Sequence, residues 1–170
     1  SMVRAEAIGL DCMQKGMPWD WISYPEFLDS VARAPKAVNV LFFVPTSPLM
    51  IWVLGLERAK AGAMPSDDEH QELRRLMDEA LVAGGAGFSA RLFRLGGRDF
   101  DGTPVAGDAM HEETIFELAE VLSTHNSGCI QYLYSAATTD DVDNSRPFQE
   151  VRELRRPQIQ AHLEQLATVA

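Results

Sequence analysis

The sequence predicts an α/β fold with parallel strands alternating with helices, and three observations carry that prediction. A strongly amphipathic helical run ends at Gly84-Gly85 and leads into the short apolar stretch Ala86–Phe93. Ala37-Val38-Asn39-Val40-Leu41-Phe42-Phe43-Val44 is apolar on both faces and closed by Pro45, as expected of a strand covered on both sides. Cys129 to Tyr134 is a third such run, behind another helical pattern. Helix, strand, helix, strand, helix, strand, helix argues for right-handed crossovers between parallel strands. In such units function sits where strands end.

Taken in order, residues 3 to 16 read as a helical or irregular lead-in. Ser23, Pro25 and Glu26 form a capping-box start for a helix that runs to about Arg33 and stops near Pro35. Trp19 and Trp21 in front of it read as core anchors, with a binding platform as the alternative. After the strand at 37–44, Thr46-Ser47-Pro48 is expected to be a turn. Leu49 to Leu54 suits a second short strand or a packed helical turn, ending at Gly55. Pro65-Ser66-Asp67-Asp68-Glu69 is a helix start with acidic residues favoured by the helix dipole. Leu73, Leu76, Met77, Ala80 and Leu81 recur on one helical face, and Gly84-Gly85 stops the helix. Residues 94 to 110 read as a long loop. His111-Glu112-Glu113 opens a helix with Ile115, Phe116, Leu118, Ala119 and Leu122 inward, ended by Asn126-Ser127-Gly128. Residues 135–147 read as a polar loop. Phe148 onward is helical in pattern, with a kink at Pro157.

At 170 residues with 46% hydrophobic content, the chain fills one domain; Ser1 ahead of Met2 reads as a tag remnant. The net charge of -10 disfavours nucleic acid and anionic membranes as partners. No apolar run reaches the ~20 residues that span a bilayer, and the N-terminus shows no signal-peptide pattern, so a soluble, cytoplasmic chain is expected. Cys12 and Cys129, far apart, read as buried reduced thiols.

Sequence-local chemistry is sparse. His70, His111, His125 and His162 fall in helices or at their ends, with no HxH, HExxH or Cys/His cluster; no metal ligand is assigned. Ser89 lies outside any GxSxG. Gly84-Gly85-Ala86-Gly87 precedes its strand, whereas a phosphate loop must follow one. Asp99, Asp101 and Gly102 read as an Asp-Gly turn, since the later ligands of a calcium loop are missing.

Three segments together resemble the amidohydrolase superfamily, in its N-acyl-D-amino-acid deacylase branch. They are Trp19-Asp20-Trp21 with Tyr24 to Asp29; Asn39 through Val44-Pro45 to Val53-Leu54-Gly55; and Glu79-Ala80 through Gly87-Phe88-Ser89 with Arg98 to Val105. Gly128 to Gln131 adds a fourth. The resemblance implies a hydrolase of amide bonds on a (β/α)8 TIM barrel, with a zinc-bound water attacking the substrate carbonyl. A whole barrel takes ~250 residues, so this chain would supply about three βα units. The family's other metal ligands would then lie before residue 1 and after residue 170. Where relatives often carry His this sequence has Thr46, where Arg is common it has Met50, and at the expected ligand of the third strand it has Gln131. The resemblance places Thr46, Ser89, Arg91 and Gln131 at strand ends facing a small N-acyl amino acid, with Arg91 either as a holder of its carboxylate or as a loop-anchoring salt bridge. It implies zinc in the full-length enzyme and none in this chain. The alternative is a non-catalytic α/β fragment serving only in folding or oligomerisation. Unpaired sheet edges predict a homo-oligomer in either case.

Overall fold

The computed structural model describes residues 8–92, 99, 101–134, 157, 160–161 and 163–169, with the backbone alone for Arg91, Leu92, Leu133 and Tyr134. The helix α1 (Leu10–Gly16) is followed by α2 (Tyr24–Arg33), β1 (Val44–Pro45) and α3 (Thr46–Leu54). Next come α4 (Leu56–Ala61), α5 (Asp67–Val82), β2 (Gly87–Leu92), the short α6 (Ala106–Ala109), α7 (Glu112–His125) and β3 (Cys129–Tyr134). The described residues from Pro157 on are helical as well. The expected loop at 135–147, the helix start at Phe148 and His162 lie outside the described residues.

Local capping sets the helix starts. Ser23 accepts from the Glu26 N–H while the Glu26 carboxylate accepts from the Ser23 N–H at 2.8 Å. Ser66 and Glu69 repeat the pattern at the start of α5. Each such box satisfies backbone donors that a helix start would otherwise leave bare. At the end of α5 the Gly84 and Gly85 N–H groups donate to the Leu81 and Ala80 carbonyls at 3.0 and 2.9 Å.

The three strands form an all-parallel sheet in the order β1-β2-β3. Val44 pairs with Phe88, and Pro45, Ser89 and Gln131 share one row. Side chains alternate across the sheet. Val44, Phe88 and Ala90 are buried on the face that packs against α5 and α7 with Leu73, Met77, Ile115 and Leu118, and Ile130 and Tyr132 lean on the same core. The other face presents Pro45, Ser89, Cys129 and Gln131, of which only Ser89 is half-buried and the rest are exposed. Fully burying large apolar side chains contributes about 1.5–3 kcal/mol each, so the helix-side face is where the stability of the sheet resides.

Several expectations are corrected. The strand expected over 37–44 is only Val44–Pro45. Upstream, the one ladder-like contact is the Ala86 N–H donating to the Phe42 carbonyl at 2.9 Å. The neighbouring chain at that level is the Gly84-Gly85 helix stop, which offers no strand to pair with. Val38 and Leu41 are therefore 72% and 79% exposed. Thr46-Ser47-Pro48 is the first turn of α3, which runs on to Leu54. The expected loop before His111 holds α6. Cys12 and Cys129 are free and exposed, not buried. Trp19 is 51% exposed with φ +51° and stacks on Trp21 at 5.8 Å, so it forms the outer layer of an aromatic cluster with Trp21, Phe27 and Phe42.

Gly87 has a role beyond the helix stop. Its φ is +121°, and a Cβ there would lie 1.9 Å from the Cys129 carbonyl oxygen. Only glycine lets β2 start this close to β3.

Candidate functional site

Parallel strands leave their carboxyl ends pointing the same way, and α3 begins directly where β1 ends. That junction puts Thr46 and Ser47 beside the row Pro45–Ser89–Gln131. A cavity of about 220 Å³ opens there, lined by Pro45, Thr46, Ser47, Ser89, Gly107 and Gln131 together with the Ala90 backbone strand.

Thr46 is 4% exposed, and its Oγ1 donates to the Ser89 carbonyl at 2.9 Å, tying α3 to β2. With its proton committed, Oγ1 can only accept on its remaining side. The Gly107 N–H donates to Ser47 Oγ at 2.8 Å. The Ser47 oxygen thus receives one bond and keeps its own proton to donate. A Cβ at position 107 would lie 2.5 Å from Ser47 Oγ, so an added side chain there would turn the Ser47 hydroxyl away.

Thr46, Ser89 and Gln131 are therefore brought together. Thr46 stands at the end of its strand, whereas Ser89 and Gln131 are the third residues of β2 and β3. Arg91 lies two residues beyond Ser89 in β2, opposite Leu133; its side chain is outside the described residues. Pro45, Ser47, Ala90 and Gly107 also line the cavity and were not singled out from the sequence as site residues; Ser47 and Gly107 are the pair that bond to each other. Sixty residues separate them, and nothing local marks either one.

The described lining is neutral: three hydroxyls, a carboxamide and backbone. Among the described residues no group of three or more His, Cys, Asp or Glu side chains could hold a metal ion. Zinc is bound by imidazole, thiolate and carboxylate, so these hydroxyls and this amide do not fit the zinc that the family resemblance implies. His70 lies within α5, His111 stands at the N-cap position of α7 and donates from Nε2 to the Gly62 carbonyl at 2.6 Å, and His125 meets Asp78 at 2.7 Å. Each of the last two has a structural partner away from the cavity.

Outside the cavity, Lys60 lies 2.9 Å from Asp101 and 3.1 Å from Asp99 with only 11% of its side chain exposed. The bond to Asp101, and less so that to Asp99, holds the Lys60 ammonium above its ordinary value. Bonds from Thr103 and Lys60 hold the Asp101 carboxyl well below the usual range. The Thr103 N–H donates to Asp101 Oδ1 at 2.9 Å, the Asp-Gly turn expected at this place.

No family model matches the chain. Among curated proteins it is similar to a D-aminoacylase from Alcaligenes xylosoxydans xylosoxydans, 28% identical over 159 residues. That stretch covers 90% of this chain and 29% of the relative, so the chain spans under a third of the length of the protein it matches. No solved structure matches. No helix among the described residues is long and apolar enough to cross a membrane.

Proposed function

We propose that the chain is a segment of an amidohydrolase-type protein, three rungs of a (β/α)8 barrel, whose cavity receives the amide of a small N-acyl amino acid. By itself the chain binds this group and does not hydrolyse it. The likeness to a D-aminoacylase along 90% of the chain supports the reading, and the observation that carries it is the neutral donor and acceptor set around the cavity. The Ser47 hydroxyl donates to the substrate carbonyl. Thr46 Oγ1 and the Gln131 carboxamide oxygen accept from the substrate N–H. A carboxylate or phosphate would find no charged partner among the described lining residues, so the acyl amide end is the one that enters. Arg91, two residues further along β2, is the candidate for the carboxylate end.

The test pairs two measurements on N-acetyl-D-amino acids. Amide NMR shifts of Ser47, Ser89 and Gln131 should move saturably with ligand, while hydrolysis stays at the uncatalysed rate with and without added zinc. Turnover with stoichiometric zinc would overturn the inactive assignment; shifts absent at these residues would overturn the site.

The edge strand β3, with Cys129 and Gln131 exposed, also favours pairing of two copies through the Cys129–Gln131 side. Modification of Cys129 by a thiol reagent should then slow with rising protein concentration, while that of Cys12 does not. A light-scattering mass of one chain at micromolar concentration would remove this part.

A further inference from the structure

The 101–111 segment forms one wall of the cavity, yet its anchorage lies elsewhere. Ala106, Gly107, Asp108 and Ala109 are all buried. At one end Lys60, in the last turn of α4, meets Asp101 and Asp99. At the other, the residue that caps α4 takes over. A Cβ at Gly62 would lie 2.8 Å from the Ala109 carbonyl oxygen, and the Gly62 carbonyl meets His111 Nε2 at 2.6 Å. The segment is thus fastened at both ends to α4 and its cap, and between the fastenings the Gly107 N–H seats on Ser47.

We infer that Lys60 is a positioning residue for this cavity: by gripping Asp99 and Asp101 from outside, it holds Gly107 on the Ser47 hydroxyl. The chemistry is asymmetric. One ammonium faces two carboxylates in a place where only 11% of the lysine side chain meets solvent. Removing it takes away the ion pairs by which Asp101 and Asp99 tie this segment to α4, so the turn at 101–103 is no longer held against that helix. Pro104 limits the backbone freedom just beyond that turn, so the displacement passes on to α6. Without Gly107 the Ser47 hydroxyl loses the donor that fixes its orientation. The inference rests on the proposed function only in taking this cavity as the site; the grip itself needs no ligand.

The test is amide hydrogen exchange by NMR on the free chain. In Lys60→Met, exchange at Gly107 should quicken by roughly tenfold or more, with Phe88 and Leu118 unchanged. Lys60→Arg, which keeps the charge, should restore protection. Should Lys60→Met fail to fold, Lys60→Gln takes its place under the same criteria. Unchanged exchange at Gly107, an equal rise at Phe88 and Leu118, or no rescue by arginine would each overturn the inference. Because no ligand is present, a failure of amide binding leaves this result standing.

Discussion

Replacing Gly87 by alanine tests the closest backbone approach in the sheet. The new Cβ would sit 1.9 Å from the Cys129 carbonyl oxygen, and real contacts of this kind begin near 3 Å, so β2 and β3 must part by about 1 Å against a normal spacing of ~4.8 Å. The Cys129 N–H to Ala86 carbonyl bond, now 3.0 Å, cannot survive that shift. Losing one or two ladder bonds costs about 1 kcal/mol each. Holding alanine at φ +121° adds about 1–3 kcal/mol, for a total of about 2–5 kcal/mol. Gly84→Ala is the control. Its φ is +107° but nothing lies within 4 Å of the added carbon, leaving a backbone strain of about 1–2 kcal/mol. With a urea slope of ~2 kcal/mol/M, the unfolding midpoint should fall by ~1–2.5 M for Gly87→Ala and by under ~1 M for Gly84→Ala. Midpoints within ~0.3 M of each other would refute the argument that close approach, and not φ alone, requires glycine at 87.

Phe88→Ala empties a site with 0% exposure and should cost about 3–5 kcal/mol in urea titration. Thr46→Val keeps the shape but leaves the Ser89 carbonyl without its 2.9 Å donor; a loss of about 1–3 kcal/mol is expected, together with weaker binding of N-acetyl-D-amino acids in the NMR titration. Glu69 is held down to about 2, chiefly by Arg58 and then by the Ser66 N–H. Because this folded value lies below the ordinary 4.5, its contribution is complete above pH 4.5 and is lost as pH falls toward 2. After discounting for solvent screening it amounts to about 1 kcal/mol. Glu69→Gln, which keeps the cap but not the charge, should show no such loss between pH 4.5 and 2 when its thermal melts are compared with the wild type. Both Cys12 and Cys129 should react with a thiol reagent in the native state, since both are exposed; a thiol that reacts only after urea would contradict this exposure.

What the sequence revealed was what its neighbours in the chain decide. The capping boxes of Ser23 with Glu26 and Ser66 with Glu69 are complete within four residues, and the stop at Gly84-Gly85 within six. The third strand was legible too, because β2 lies alongside its whole length. The run at 37–43 was not, because strand propensity needs a partner to bond with, and the turn beside it supplies none. Gly87 resembled one more breaker in a glycine cluster; its need comes from Cys129, 42 residues away. The site divides the same way. Thr46, Ser89 and Gln131, which the family resemblance singled out, are brought to one cavity by the register of the sheet. Ser47 and Gly107 become partners only when α6 folds back onto α3.

The two faces of the sheet explain why this site could be assembled without strong local marks. Toward α5 and α7 the strands carry Val44, Phe88 and Ala90, and substitutions there change stability. On the opposite face, the rows Gly87–Cys129 and Pro45–Ser89–Gln131 are built from small or polar residues. In a closed barrel the inward layers are filled by bulky branched side chains. Small residues in two successive rows here leave the space in which the cavity forms. A bulky residue at Ser89 would consume that space while leaving Phe88 and Ala90 seated. Ser89→Leu should therefore abolish amide binding with little change in unfolding midpoint, whereas Phe88→Ala does the reverse in kind, lowering the midpoint first. The face a residue occupies, set by its parity along the strand, separates the side chains that hold this fold from those that line the cavity.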